Sequence, residues 1–312
     1  MKHVTIRQLQ TMLAISRNGK ISSAANSLGL TGPAVTLSLK DLEAECGQPL
    51  FDRTRDGLRP TVAGDAVLKA ATDIELRLRR LYEEIETLSG AKTGRLRIGA
   101  VSTAKYFAPT LMAAFRAERP GVNLSLAVGN RETIIEALKN YEIDMALMGR
   151  PPRDFDIRAQ VFGDHPLVII ASPTHPLAHD RNIEKEQLIG EHFLVREKGS
   201  GTRSSLDIFM RDAPGWTESD HEEMASNETI KQAVMAGMGI AFISAHTIAM
   251  ELELKRLVIL DVAGMPIRRQ WYAVSRADRS LSPAMTAFNS FLVNEGARHL
   301  PFIPTIYPVG RG

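Results

Sequence analysis

Hydrophobic positions change their period three times along this chain, and each change marks a new kind of element. Ile6, Leu9 and Leu13 recur at i, i+3, i+7, Asn18-Gly19 interrupts, and Ile21, Ala24, Ala25 and Leu28 resume the same spacing. Both segments read as amphipathic helices, and the alanine pair permits close helix packing. Gly29-Leu30-Thr31 supplies a tight turn. Thr31 or Gly32 then caps a third helix, which accepts Pro33 in its first turn because the missing N–H would be unpaired there anyway. Val35, Leu39, Leu42 and Cys46 form its buried stripe. Helix, three-residue turn and helix is the helix-turn-helix arrangement, whose second helix enters the major groove. Pro49-Leu50-Phe51 begins an extended segment, and Arg53 to Arg59 reads as a basic hairpin wing.

With Val35 facing inward, Pro33, Thr36, Leu37 and Lys40 face outward. Thr36 suits a base edge or a phosphate, Leu37 a thymine methyl, and Lys40 a phosphate. Residues 1–60 carry eight Lys or Arg against five Asp or Glu. That excess is modest, so periodicity and charge alone leave open a three-helix bundle that never meets nucleic acid. Cys46 reads as a small buried hydrophobe, since no cationic group beside it would activate a thiolate.

Residues 61–89 contain no proline, and Val67, Ala71, Ile74, Leu78, Leu81, Ile85 and Leu88 alternate spacings of four and three. The mean repeat of about 3.5 residues is that of a coiled-coil seam. Thr61 suits the N-cap, and a helix of this span would be roughly 43 Å long at 1.5 Å per residue. The stripe either pairs with a second copy of the chain or packs on the rest of its own chain; length and a charged opposite face favour pairing. Gly90-Ala-Lys-Thr-Gly94 is the clearest linker.

From Gly94 the pattern becomes α/β. Arg95–Val101, Val122–Val128 and Met145–Met148 read as strands, separated by helices that carry Phe107, Leu111 and Phe115 and then Arg131–Lys139. This βαβαβ order favours a parallel sheet whose ligands lie at the carboxyl ends of its strands. A second unit begins near Leu167–Ala171, and the late strand Arg269–Ser275 returns to the first. Three loops suit the lining of a cleft: Ser102-Thr103, Gly199-Ser200-Gly201-Thr202-Arg203, and Ser226-Asn227. Hydroxyls and free N–H groups ahead of a helix hold anions, and Arg203 suits a bidentate grip on carboxylate or phosphate. The same residue types also cap helices routinely. Gly237-Met-Gly239-Ile240 reads as a tight helix-to-strand turn.

Composition narrows the classes. The 312 residues suit two or three domains, with 44% hydrophobic and 24% charged positions and a net charge of +2. Any nucleic-acid site must therefore be a local patch. The single Cys46 excludes a disulfide framework and a cysteine-rich metal site. No apolar run approaches the ~18 residues of a membrane span, and the first twenty residues lack the apolar core of an export signal. A cytoplasmic chain is expected. His175 and His179 are four apart, but Pro176 between them argues for a loop rather than a metal-bearing helix. No nucleophile, base and orienting group assemble into an enzyme's site.

The run Leu30-Thr31-Gly32-Pro33-Ala34-Val35-Thr36, then Leu42-Glu43, Pro49-Leu50-Phe51-Asp52-Arg53-Thr54 and Thr61-Val62-Ala63-Gly64 closely resembles the winged helix-turn-helix of LysR-type transcriptional regulators. The resemblance implies that Thr31, Pro33, Thr36 and Leu37 face DNA, with Arg53 and Arg55 in the wing. Many members carry Gln where this chain has Gly32, so a base preference does not transfer. It further implies a dimerising linker helix, commonly within a homotetramer, and a two-lobed effector domain like a periplasmic binding protein. The Gly-Ser-Gly-Thr-Arg loop and Ser226–Ile240 resemble the CbbR-type branch, which controls carbon-dioxide-fixation (RuBisCO) operons in response to phosphorylated metabolites.

The expected fold is therefore α plus α/β. It comprises a winged helix-turn-helix over residues 1–60, a linker helix over 61–89 and an effector-binding domain over 90–312. Within the last, lobe I spans about 94–162 and 267–296, and lobe II about 163–266. DNA-binding candidates are Thr31, Pro33, Thr36, Leu37, Lys40, Arg53 and Arg55; effector-binding candidates are Ser102, Thr103, Ser200, Thr202, Arg203 and Asn227. No cofactor and no metal are expected. The expected partners are double-stranded promoter DNA, a small anionic metabolite, further copies of the chain and RNA polymerase, with no membrane. Two readings compete: a LysR-type regulator of an unrelated operon, and a periplasmic-type solute-binding protein, which would leave residues 1–89 unexplained.

Overall fold

Thr5 opens the first helix by a reciprocal cap. Its hydroxyl accepts from Gln8 N at 3.3 Å, while Gln8 Oε1 accepts from Thr5 N at 2.8 Å. The computed structural model describes residues 3–54, 57–88, 94–216, 221–304 and 306, and the chain divides into two compact units, Met1–Ser89 and Gly90–Gly312.

In the first unit α1 (Ile6–Asn18), α2 (Ile21–Leu28) and α3 (Gly32–Cys46) precede an antiparallel hairpin of β1 (Phe51–Thr54) and β2 (Gly57–Pro60). Thr31 caps α3 by accepting from Ala34 N at 3.4 Å, with Pro33 in the first turn. Leu9, Met12, Ile15, Ala24, Val35, Leu42 and Leu50 form the core. Ile6 does not belong to it: 48% exposed, it sits one helical step off the buried face. A Cβ on Gly57 would meet the Gly19 carbonyl oxygen at 2.4 Å, so only glycine lets the wing dock on the end of α1.

Thr61 joins the hairpin to α4 (Val62–Leu88), donating to Pro49 O at 2.9 Å and accepting from Gly64 N at 3.0 Å. The stripe along α4 is split rather than uniform. Val67, Leu68 and Ala71 pack on the unit's own core, whereas Ile74, Leu81 and Ile85 are 40%, 50% and 51% exposed. The Leu88 side chain lies outside the described residues.

The second unit begins with β3 (Gly94–Val101), α5 (Ala108–Glu118), β4 (Val122–Gly129), α6 (Arg131–Lys139) and β5 (Met145–Met148). These strands pair in parallel in the order β4-β3-β5. There follow β6 (Ile157–Ala171), β7 (Phe193–Arg196), α7 (Gly201–Met210), β8 (His221–Met224), α8 (Asn227–Met235), β9 (Ile240–Ser244), α9 (Ala249–Glu253), β10 (Val258–Ile259), β11 (Ile267–Arg276) and α10 (Pro283–Glu295). One sheet runs β4-β3-β5-β11-β6-β9-β7-β8, with β10 beside β6. It is mixed rather than wholly parallel, because β6 and β11 run antiparallel from Ile267–Leu167 to Arg276–Ile157. The strand expected to begin at Leu167 is the second half of the 15-residue β6.

Those two strands belong to both lobes. One lobe's core gathers Leu96, Ile98, Phe107, Phe115, Trp271 and Phe288. The other buries Ile169, Phe193, Leu206 and Phe242 on one sheet face, and Ile170, Leu194, Ile230 and Ile243 on the opposite one. A one-turn 3-10 helix (Gly296–His299) follows α10, and beyond it the described residues are irregular, as the prolines there suggest. Ile303 and Ile306 are buried in the second lobe's core with Val168 and Leu257, making a third connection between lobes.

Asp144 anchors the first lobe. It accepts from Arg97 N at 2.7 Å and from Arg97 Nη2 at 2.7 Å, and Arg279 Nη1 donates to the same carboxylate. Burial alone would raise its pKa, but the hydrogen bonds and charges of the two arginines outweigh it and hold the carboxyl below the usual range. Stability from this cluster is therefore present above the unfolded carboxylate pKa and is lost as pH falls through the folded value. Asp144→Ala leaves buried cations behind and is expected to cost about 3–5 kcal/mol, read by denaturant unfolding at pH 7. Ile303→Ala should cost about 2–5 kcal/mol by opening the cavity it fills, and an unchanged midpoint would remove the strap.

Candidate effector cleft and nucleic-acid interface

On α3, Thr31, Pro33, Leu37 and Lys40 are exposed, Leu37 at 61%. Thr36 is half-buried and its hydroxyl donates to Gly32 O at 3.0 Å, so the oxygen keeps acceptor capacity. Arg53 is exposed on β1 opposite Leu58. Arg55 lies outside the described residues. Exposed on this face, Leu37 suits contact with a base methyl.

The second site lies between the two lobes. A small cleft of about 40 Å³ is walled by the end of β3, the start of α6, the end of β5, the N-terminus of α7, the middle of β6 and the start of β11. Ser102, Thr103, Ser200, Thr202 and Ser205 bring hydroxyls to it; Arg131, Arg150 and Arg269 bring guanidinium groups; His165 brings an imidazole. No carboxylate is among the lining residues; Glu132, Glu136 and Asp154 line an adjoining groove instead. Burial lowers the pKa of both Arg131 and Arg269, and the nearby Arg150 charge lowers both further. Arg131 Nε is buried with no hydrogen-bond partner among the described residues. Ser200 caps α7 by accepting from Thr202 N at 3.3 Å, so the positive end of a ten-residue helix faces the same space. An anion placed there would meet unpaired donors and relieve mutual repulsion.

Four of the six effector candidates, Ser102, Thr103, Ser200 and Thr202, line this cleft. Arg203 does not. Its Nε donates to Asp207 at 3.0 Å along its own helix, one turn on, which removes the expected clamp from the wall. Asn227 sits one layer behind. Its carboxamide oxygen accepts from Arg196 Nη1 at 2.6 Å, and Arg196 Nη2 donates to Ser102 Oγ at 3.1 Å. Arg196, buried and also bound to Glu197 at 2.6 Å, thus positions Ser102 across the cleft and leaves that serine's O–H to donate. Tyr106 reinforces this closure by donating to Glu228.

The cleft arginines and His165 were missed by sequence reasoning. Arg131 and Arg150 follow the carboxyl ends of β4 and β5, where the topology places ligands, so that rule could have found them. Arg269 and His165 lie inside strands, where no local signal separates a cleft residue from an ordinary strand position. His175 accepts from Leu177 N and pairs with Glu191 at 3.2 Å, as a loop residue does. No metal-binding cluster occurs among the described residues.

A helix-turn-helix with a hairpin wing, followed in one chain by a two-lobed domain with an arginine-lined cleft, fits a ligand-responsive transcriptional regulator. The profile described as "LysR substrate binding domain" matches residues 89–297, and "Bacterial regulatory helix-turn-helix protein, lysR family" matches residues 6–65. The chain belongs to the LysR family. It is 58% identical to the HTH-type transcriptional regulator CbbR of Sinorhizobium medicae (strain WSM419), over 99% of this chain and 98% of that one. It is 44% identical to the RuBisCO operon transcriptional regulator of Allochromatium vinosum, over 95% and 98%. The solved regulatory domain of Synechocystis PCC6803 CcmR in complex with 2-PG matches with a TM-score of 0.60 at 40% identity, over 64% of this chain and 96% of that domain. The protein is therefore a DNA-binding regulator and not an enzyme; the solute-binding reading fails on the helix-turn-helix match. Like its family it binds promoter DNA and a small-molecule effector, and it oligomerises.

Burial holds His246 down to about pKa 4 and His165 well below the ordinary imidazole value. Below about pH 6.5 the unfolded chain binds protons on these rings that the native chain does not. Stability should thus be complete above that pH and fall from pH 6.5 to 4. Thermal unfolding across this range is expected to show the slope, and His246→Gln to flatten it.

Proposed function

We propose that the protein regulates a carbon-fixation operon, of the RuBisCO type, by sensing a small phosphorylated metabolite in the cleft between its lobes. The observation that carries the reading is the convergence of Arg131, Arg150 and Arg269 on one cavity without a lining carboxylate. The likeness to CbbR, to a RuBisCO operon regulator and to a 2-PG complex supports it. The arginines hold the anionic oxygens, while Ser102, Thr103, Ser200 and Thr202 supply directional hydrogen bonds. Because the walls come from both lobes, a bound anion favours the closed arrangement by its differential contacts. That shift in closure alters how a tetramer, paired through α4, bends promoter DNA and engages RNA polymerase in the cytoplasm. Thr31, Pro33, Thr36, Leu37, Lys40 and Arg53 contact the operator, with Arg55 in the wing tip. An unrelated target operon would leave the cleft chemistry intact, and binding to DNA upstream of RuBisCO genes separates the two readings.

Titration with 2-PG is expected to raise the thermal midpoint of the wild type, since only the folded state binds. Arg131→Ala and Arg269→Ala should each weaken that binding tenfold or more, and Arg203→Ala should leave it unchanged. Equal shifts in all three variants would overturn the assignment. For DNA, Arg53→Ala should weaken binding and reduce the slope of log K against log salt by about one, as one lost phosphate contact does. An unchanged slope would place Arg53 off the phosphates.

A further inference from the structure

His165 is 6% exposed in the cleft wall, and neither ring nitrogen has a hydrogen-bond partner among the described residues. Its position is built with some care. The ring stacks on the Trp271 indole, centroids 3.8 Å apart. Trp271 in turn is fixed by its Nε1, which donates to His246 Nδ1 at 3.0 Å. A Cβ on Gly149 would come within 2.4 Å of His165 Nδ1, so the backbone just after β5 can lie against that edge of the ring only because the residue is glycine. The charged or titratable groups facing the ring are Arg269, its register partner on β11, and His246, with ring centroids 6.5 Å away. Burial above all, and then His246 and Arg269, disfavour imidazolium, so the ring meets a ligand neutral, with one N–H donor and one acceptor lone pair.

The division of labour inside the cleft follows from this. Guanidinium groups offer donors only, and they satisfy anionic oxygens. The neutral imidazole alone brings a ring nitrogen acceptor, and an acceptor has no use for a phosphate dianion. We propose that His165 is a specificity-determining contact, pairing with a hydroxyl group adjacent to the anionic group that Arg131, Arg150 and Arg269 hold. This rests on the cleft being the effector site and adds to it the second chemical feature of the ligand: a phosphorylated, hydroxyl-bearing small molecule rather than a bare anion. A site built to hydrogen-bond a hydroxyl rejects the analogue lacking it, because its buried polar groups stay unpaired.

Titration calorimetry on the full-length protein with three probes tests the assignment: inorganic phosphate, glycerol 3-phosphate, and propyl phosphate, which has the same skeleton without hydroxyls. The wild type is expected to prefer glycerol 3-phosphate over propyl phosphate by tenfold or more. His165→Phe keeps the aromatic stack on Trp271 and deletes both nitrogens, so it should erase that preference while leaving propyl phosphate and inorganic phosphate binding within about twofold. Its ligand-free thermal midpoint should not fall, whereas a purely structural histidine would lower it. His165→Gln, which keeps a donor and an acceptor, should recover part of the preference. A preference that survives in His165→Phe, or its absence in the wild type, overturns the proposal while leaving the anion cleft standing. Failure of the wild type to bind any of the three probes overturns the cleft reading itself, and this inference with it.

Discussion

The ladder between β6 and β11 is the constraint on which the sensing half depends. Each strand is long enough to serve both lobes, and their antiparallel register runs unbroken in direction from Ile267–Leu167 to Arg276–Ile157, with one irregularity at Trp271 and Tyr272. A shift of register by one residue would turn every side chain to the opposite face. Arg269 and His165, partners across the ladder, would then leave the cleft, and Trp271 would leave the core it fills. The connection between the lobes and part of the cleft wall are thus the same two strands.

Around that ladder the cleft is assembled at an electrostatic cost. Three guanidinium groups face one cavity with no acid among its lining residues, although the Asp154 charge in the adjoining groove reaches Arg131, and burial works against the charge of both Arg131 and Arg269. Elsewhere in the domain buried arginines are answered at once: Arg97 and Arg279 by Asp144, Arg196 by Glu197 and Asn227. The contrast separates structural from binding cations in this fold. Stabilising pairs are closed within a lobe, while the unanswered charge lies where the lobes meet. The Arg196 bridge to Ser102 spans the same gap but is satisfied without ligand. It sets a baseline of closure that an anion can deepen.

Much of the fold was legible because helix caps and hydrophobic periods are local. Thr5, Thr31, Thr61, Ser200 and Ser226 all cap the helices they precede, and the strands β3, β4 and β5 fall where the alternating and apolar runs suggested them. The cleft was legible only in part, and the failures share a cause. Arg203 fits the chemistry of an anion clamp, yet helical spacing sets Asp207 one turn away, and the local pair wins. Asn227 carries the expected polarity but spends it on Arg196. Arg269 and His165 acquire their role from register with a strand a hundred residues distant, which no window of sequence contains. Long-range pairing, not composition, decides which polar groups face the ligand.

The linker helix shows the same competition with the opposite result. Its 3.5-residue repeat is continuous in sequence, yet the protein uses it twice. Ala71, Val67 and Leu68 close the core of the DNA-binding unit, because that small unit has too little apolar surface of its own. From Ile74 on, the same stripe leaves Leu81 and Ile85 half exposed, with Tyr82 alongside at 66%. Isolated exposed leucines are ordinary, but a stripe repeating every 3.5 residues on a straight helix is not. Such a stripe gains stability by facing a second stripe of the same period. A second copy of this helix would provide one, as the proposed pairing through α4 requires.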